Sequence, residues 1–423
     1  MKSLQEILYL LGIQNSGFRI QETGVVGFLY SKSCILYSEF CILNSVFCLL
    51  VLFGLSSCGR PVYRSEARWQ EPPDMEVTLL KEAGTIRLAV HSPYRILDLK
   101  NGTSLREGAS LPSTPVTLES ASGGQLALGG IKLGTNGVRV VAQVDGTLEL
   151  EGTQYRGEIH LLKGPKEGLT VIDKLGVESY ILGVVGSEMP NHWEPEALKA
   201  QAITARTFAL CLKGNGATLG PLHLAYKGTA RETPALRRIV SQTRGVVMLY
   251  KKDLFPAYFH STCGGHTEDA NLVFGKDGIP PLKGVKCDYC KDSKYYQWSR
   301  EISKQELEKD IRKAYPSLKE IWEVSPQGRG PGRHISQVEI KYASGSYRMN
   351  ANEFRLLLGP NHLLSTAFEV ADKGKIIKFS GNGWGHGVGL CQYGAGTMAK
   401  NGSTWQEVLK KYYPGAEFVK IYE

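Results

Sequence analysis

Val177-Glu178-Ser179-Tyr180-Ile181-Leu182-Gly183-Val184-Val185-Gly186-Ser187-Glu188-Met189-Pro190, continued by Trp193-Glu194-Pro195-Glu196-Ala197-Leu198-Lys199-Ala200-Gln201-Ala202-Ile203-Thr204-Ala205-Arg206-Thr207-Phe208-Ala209-Leu210, is the stretch that decides how this chain is read. Pro195 with acidic residues beside it marks a helix start, because proline suits the first turn and carboxylates favour the positive end of the helix dipole. The following residues are alanine-rich and free of Gly and Pro, which predicts a helix to about Leu212. Ala197, Ala200, Ala202, Ala205 and Ala209 keep that helix slim enough for close packing. Its central polar residues Gln201, Thr204 and Arg206 then need partners, since buried polar groups are hydrogen-bonded. Just upstream, Glu188 stands among Val184, Val185, Met189 and Pro190. An apolar setting raises a carboxyl pKa and keeps it protonated near neutrality, as a general acid requires. The plainer reading of Glu188 is a cap for the helix beginning near Pro195.

Working outward, Glu76-Val77-Thr78-Leu79-Leu80, Thr85-Ile86-Arg87-Leu88-Ala89-Val90 and Val138-Arg139-Val140-Val141-Ala142 are short β-rich runs between turn residues. They predict an all-β unit over 75–150, in which no His, Cys or carboxylate cluster points to chemistry. Tyr155 to Leu161 and Leu169 to Ile172 read as a strand pair leading into the helical stretch. Downstream, the pattern predicts a helix near Pro234 to Thr243, strands at 245–250 and 257–260, and a helix around Lys304 to Tyr315. A β-rich stretch to about Ser380, the glycine-dense Gly381 to Gly396 and a final helix over Thr404 to Tyr412 complete the chain.

With 423 residues and 42% hydrophobic content, the chain has room for two or three packed units and is not a disordered polymer. Its net charge of +9 arises from 50 basic and 41 acidic residues dispersed along the sequence, without the basic run of a nucleic-acid arm. No nucleic-acid partner is expected; the mild excess suits an anionic surface. The apolar run Phe40 to Leu55 is short for a membrane span and ends at Leu55-Ser56-Ser57-Cys58-Gly59, which resembles a bacterial lipobox. That resemblance implies export, lipidation of Cys58 and a membrane-anchored protein whose residues 1–58 are a leader. Residues 59–74, polar and proline-bearing, read as a tether.

Beyond the leader and Cys58, the cysteines are Cys211, Cys263, Cys287, Cys290 and Cys391, an odd number that argues against a simple disulfide framework. Cys263-x2-His266 and Cys287-x2-Cys290 form two short chelating pairs with zinc spacing. Four protein ligands leave no open position, so the expected zinc is structural. His260 is an alternative to His266, and a Cys287 to Cys290 disulfide is the alternative to metal binding. Cys211 and Cys391 read as buried or unreactive thiols.

The Val177 to Leu210 stretch, His260-Ser261-Thr262-Cys263-Gly264-Gly265-His266-Thr267-Glu268 and Gly383-Trp384-Gly385-His386-Gly387-Val388-Gly389-Leu390-Cys391-Gln392-Tyr393-Gly394-Ala395 occur in this order. Together they resemble the stage II sporulation protein D / amidase enhancer family over about residues 150 to 420. The resemblance implies an α+β protein whose residues 151–423 form a two-lobed body with a glycan groove, preceded by the β-rich unit. The family's enzymatic members are lytic transglycosylases of peptidoglycan, and its catalytic glutamate matches Glu188. Other members are described as amidase enhancers, so the alternative is a non-catalytic peptidoglycan-binding protein. Expected partners are glycan strands, an N-acetylmuramoyl amidase and division machinery at the cell envelope. Gln201, Arg206, His260, His386 and Gln392 are candidate groove residues, with internal pairing open for Arg206 and packing open for His260. Trp384 or Tyr393 can stack on a pyranose face, although glycine-rich segments also make tight turns.

Overall fold

The computed structural model describes residues 71–423, apart from 120–123, 144–145, 167, 221–222 and 276–277. The expected leader, the lipidation site Cys58 and most of the tether lie outside the described residues. Among the described residues, no helix is long and apolar enough to cross a membrane. The fold is α+β.

Two antiparallel six-stranded sheets come first. One runs, in spatial order, through Asp74–Ala83, Leu169–Gly176, Glu158–Lys163, Gly137–Ala142, Tyr94–Asp98 and Ser104–Gly108. The other runs through Thr153–Tyr155, Leu148–Leu150, Thr85–Val90, Leu111–Glu119, Gln125–Leu128 and Ile131–Lys132. Alternation buries one face of the central strands, and Ile86, Leu88, Val140, Leu148, Ile159 and Leu161 share a core. The β-rich region therefore extends to Gly176 rather than ending at 150, because Glu158–Lys163 pairs with both Gly137–Ala142 and Leu169–Gly176. In the last of these strands Leu169, Val171, Asp173 and Leu175 occupy the buried positions, which places one carboxylate in an apolar row.

Helix α1, Val177–Glu188, follows directly. Its valines and glycines are poor helix formers, but it is buried on nearly every side, so packing overrides propensity. A Cβ on Gly186 would lie 2.7 Å from the Arg231 carbonyl oxygen, showing how closely a neighbouring chain approaches. Helix α2, Pro195–Gly214, is the expected long helix and forms the axis of the second core, with Ala200, Ala202, Ala205 and Ala209 completely buried. Helix α3, Pro234–Ser241, is capped by the Thr233 side chain accepting from the Leu236 amide. Strand Val246–Tyr250 pairs with Asp253–Leu254 and with Glu417–Lys420 near the chain end.

The remaining architecture is set by a parallel two-residue ladder, Phe259 and His260 against Leu390 and Cys391. Between its strands the chain makes helix α4, Ala270–Phe274, and a lobe with its own core. That lobe contains two three-stranded antiparallel sheets, helix α5, Lys304–Arg312, and helix α6, Ala351–Leu358. Leu307, Ile311, Val338, Ile340, Phe354 and Phe379 lie at its centre. After the ladder, helix α7, Gln392–Lys400, and helix α8, Trp405–Tyr412, return to the second core. Thr404 and Glu407 cap α8 reciprocally.

Candidate active site

Glu188 closes α1 at the wall of an open cleft of roughly 410 Å³. The other walls come from Phe208 of α2, His223 and Leu224 of the following loop, Tyr258 to Ser261, and the segment carrying Trp384, His386 and Gln392. Among the described residues lining it, Glu188 is the only carboxylate. Val184, Val185 and Met189 are buried beside it, whereas Pro190 is exposed. Burial pushes the Glu188 carboxyl above the ordinary carboxylate value, opposed in part by hydrogen bonding from Ala225 and Gln392. The Ala225 amide donates to Glu188 Oε1 at 2.7 Å.

The described residues of loop 215–233 are held beside Glu188 by contacts with the first strand and with Asp173, Tyr155 and Tyr180. Thr78 of the first strand donates its amide to the Leu219 carbonyl at 2.8 Å. Tyr226 sends its hydroxyl to Asp173 Oδ2 at 2.7 Å and packs its ring on Tyr155 and Tyr180. Gly183 permits this approach, since a Cβ there would stand 2.7 Å from the Tyr226 ring. Asp173 is fully buried, its Oδ1 has no hydrogen-bond partner, and desolvation raises its pKa to about 7.

The opposite wall is histidine-rich. His260 donates from Nδ1 to the Val388 carbonyl at 3.1 Å, and burial lowers its pKa to about 4, so the ring is neutral with Nε2 as an acceptor. The His386 ring centre is 5.6 Å from that of His260, and its Nδ1 accepts from the Val388 amide at 3.1 Å. Burial lowers His386 as well. His334, which the sequence reading passed over, reaches this cluster from the inserted lobe and bonds Thr366 Oγ1 through Nδ1 at 2.8 Å. Gly387 has φ of 82°, and a Cβ there would fall 2.2 Å from His334 Nε2. Trp384 lines the cleft and packs against Tyr295 at 4.3 Å, whereas Tyr393 turns edge-on to Trp193.

His260, His386 and Gln392 line the cleft; two other candidate groove residues do not. Arg206 is completely buried and makes two hydrogen bonds to Glu178, at 2.9 and 2.8 Å, plus one to the Val246 carbonyl at 3.0 Å. Its planar fork is thus engaged inside the protein, away from the cleft. Gln201 is also completely buried, behind Gln392, whose amide nitrogen lies 3.5 Å from Gln201 Oε1 and 3.3 Å from the Glu188 carbonyl oxygen. Gln201 therefore supports the cleft from beneath. Nor does the sulfur cluster contain His266. Its Nδ1 bonds the Thr267 carbonyl, and the side chain brought to Cys263, Cys287 and Cys290 is Cys391, with all four sulfurs within 4.8 Å of one another. Sequence spacing favoured His266 because it lies in the same short segment as Cys263; the parallel ladder delivers Cys391 from 128 residues away.

A family model described as stage II sporulation protein matches residues 165–250, the segment holding α1, Glu188 and α2. A second, described only as a domain of unknown function, matches residues 283–389 and covers the inserted lobe. The chain is 32% identical to stage II sporulation protein D of Bacillus subtilis (strain 168), over 58% of this chain and 75% of that protein. This chain belongs to the stage II sporulation protein D family. It is also 30% identical to an uncharacterized protein of Brachyspira hyodysenteriae, over 69% of this chain and 80% of the relative. The amidase enhancer of Bacillus subtilis is 28% identical over 69% of this chain, which spans 48% of that longer protein. Within this stage II sporulation protein D family member, the cleft joins both matched segments, with Glu188 in one and Trp384 and His386 in the other.

Proposed function

We propose that this protein is a lytic transglycosylase of peptidoglycan, cutting glycan strands between muramic acid and glucosamine. The observation that carries the reading is a single carboxylate, held above its ordinary pKa, in a cleft lined by aromatic rings and neutral histidines. Glycosidases that use water generally need two carboxyl groups. A lytic enzyme needs one, because the muramic C6 hydroxyl of the substrate replaces water. Protonated Glu188 donates to the glycosidic oxygen, and the bond from that oxygen to muramic C1 breaks. The resulting carboxylate removes the C6 hydroxyl proton as O6 bonds to C1, giving a 1,6-anhydro sugar and returning the proton to Glu188. Trp384, Phe208 and Tyr258 offer faces on which sugar rings can pack. The resemblance to relatives named for sporulation and for amidase enhancement supports a place in the cell envelope, with an amidase as partner.

The second reading is an amidase enhancer that binds glycan without cutting it, favoured by the name of the Bacillus subtilis relative. Incubating the protein with peptide-stripped glycan strands and analysing the products by mass spectrometry separates the possibilities. The lytic reading predicts fragments ending in 1,6-anhydromuramic acid. Reducing-end fragments would mean hydrolysis, and intact strands bound by the folded protein would favour the enhancer.

A further inference from the structure

We infer that Cys263, Cys287, Cys290 and Cys391 form a four-thiolate structural zinc site that fastens together the two strands of the cleft wall. All four residues are buried, with at most 1% of their surface exposed. The Cys263 and Cys290 sulfurs stand 3.5 Å apart, far beyond the roughly 2.05 Å of a disulfide. Tetrahedral zinc with bonds of about 2.3 Å places its sulfurs about 3.8 Å apart, close to this spacing. The surroundings also suit anionic sulfur. Cys391 Sγ accepts the backbone amides of Cys263 and Gly394, at 3.3 and 3.4 Å. The Tyr412 hydroxyl lies 3.1 Å from Cys287 Sγ, where it donates to a thiolate. Such outer donors hold metal-bound sulfurs in place, whereas neutral thiols have little need of them. Gly394 is required for this approach, because a Cβ there would stand 3.0 Å from Cys287 Sγ and collide with Tyr412.

Four soft thiolate donors select zinc over hard cations and leave no coordination position for water. The site therefore holds structure rather than activating a nucleophile. Its location gives it a purpose: Cys263 follows His260 by three residues, and Cys391 immediately precedes Gln392. Both segments line the cleft, and both belong to the parallel ladder. Cys287 and Cys290 attach the chain just before the lobe's first strand, Gln297–Ser303, so one ion ties the inserted lobe's entry to both cleft strands.

The test uses the full chain, purified without chelator, with elemental analysis and cobalt substitution. One zinc per chain is expected. The sulfur-to-cobalt charge-transfer band should have four-thiolate intensity, fall by about a quarter in Cys391→Ser and remain unchanged in His266→Ala. Loss of band intensity in His266→Ala with none in Cys391→Ser would overturn the assignment of ligands. Metal-free protein with disulfides among these four cysteines, or stoichiometric iron in place of zinc, would overturn the site itself. If Cys391→Ser does not fold, the wild-type intensity and the His266→Ala spectrum still decide.

Discussion

Arg206 and Glu178 show how far a single residue can be understood without its partners. The guanidinium lies in the middle of α2, and the carboxylate that neutralises it comes from α1, 28 residues earlier. Glu178 is held in turn by the Gly245 amide at 3.1 Å and the Tyr422 hydroxyl at 2.7 Å, contacts closed only by the end of the chain. The sequence indicates that a polar residue in an alanine-rich helix needs company, but not whether that company is ligand or protein. Removing one member of a buried ion pair leaves the other uncompensated. Arg206→Ala should therefore lower unfolding stability by about 3 kcal/mol or more in urea titrations. Combined with Glu178→Gln, it should cost less than the sum of the two single changes. Weakened glycan binding with unaltered stability would instead mark Arg206 as a groove residue. Glu188 was legible because its apolar neighbours adjoin it in sequence. His334 was not, because nothing nearby in the chain hints at the cluster it joins across the lobe.

At the scale of elements, α2, α3, α5 and α8 announce themselves through Pro and Ser/Thr starts and uninterrupted runs. Helices α4 and α6 were also missed, α6 inside the stretch read as β-rich; the missed α1 and α7 are glycine-bearing, and their glycines serve close packing rather than turns: Gly186 faces the Arg231 backbone and Gly394 faces Tyr412. The glycine-dense segment thus runs into helix at its end, where Gln392 to Gly396 belong to α7. In the loop before it, Gly387→Ala forces both an unfavourable φ and a collision with His334. A destabilisation of about 2 kcal/mol or more is expected, measurable as a lower urea midpoint. The strand carrying Asp173 makes a different prediction. Its carboxyl pKa is about 7 in the folded protein and about 3.9 in the unfolded chain, so the folded state keeps a proton that the unfolded state releases. This contribution to stability is fully present below about pH 4 and is lost as the pH rises through about 7. Thermal melts of Asp173→Asn should show a smaller fall in midpoint between pH 4 and 8 than wild type. An identical pH dependence in both proteins would contradict the assignment.

For the molecule as a whole, the three sequence blocks that mark the family are also three walls of the cleft. Glu188 arrives with the first, His260 with the second, and Trp384, His386 and Gln392 with the third. Their order was legible, but the parallel ladder joining the second and third was not, because its two strands pair across 131 residues. The extent of the β-rich region was likewise hidden, since its last strands read equally well as a lead-in to α1. What results is a cleft whose carboxylate, aromatic rings and neutral histidines come from separate regions, so the site depends on the assembled fold. Glycan binding and strand cleavage measured side by side for wild type and Glu188→Gln decide whether Glu188 is the acid. The mutant should bind glycan as wild type does while release of 1,6-anhydro ends falls by about 10²-fold or more. Cleavage at the wild-type rate by Glu188→Gln would contradict that role.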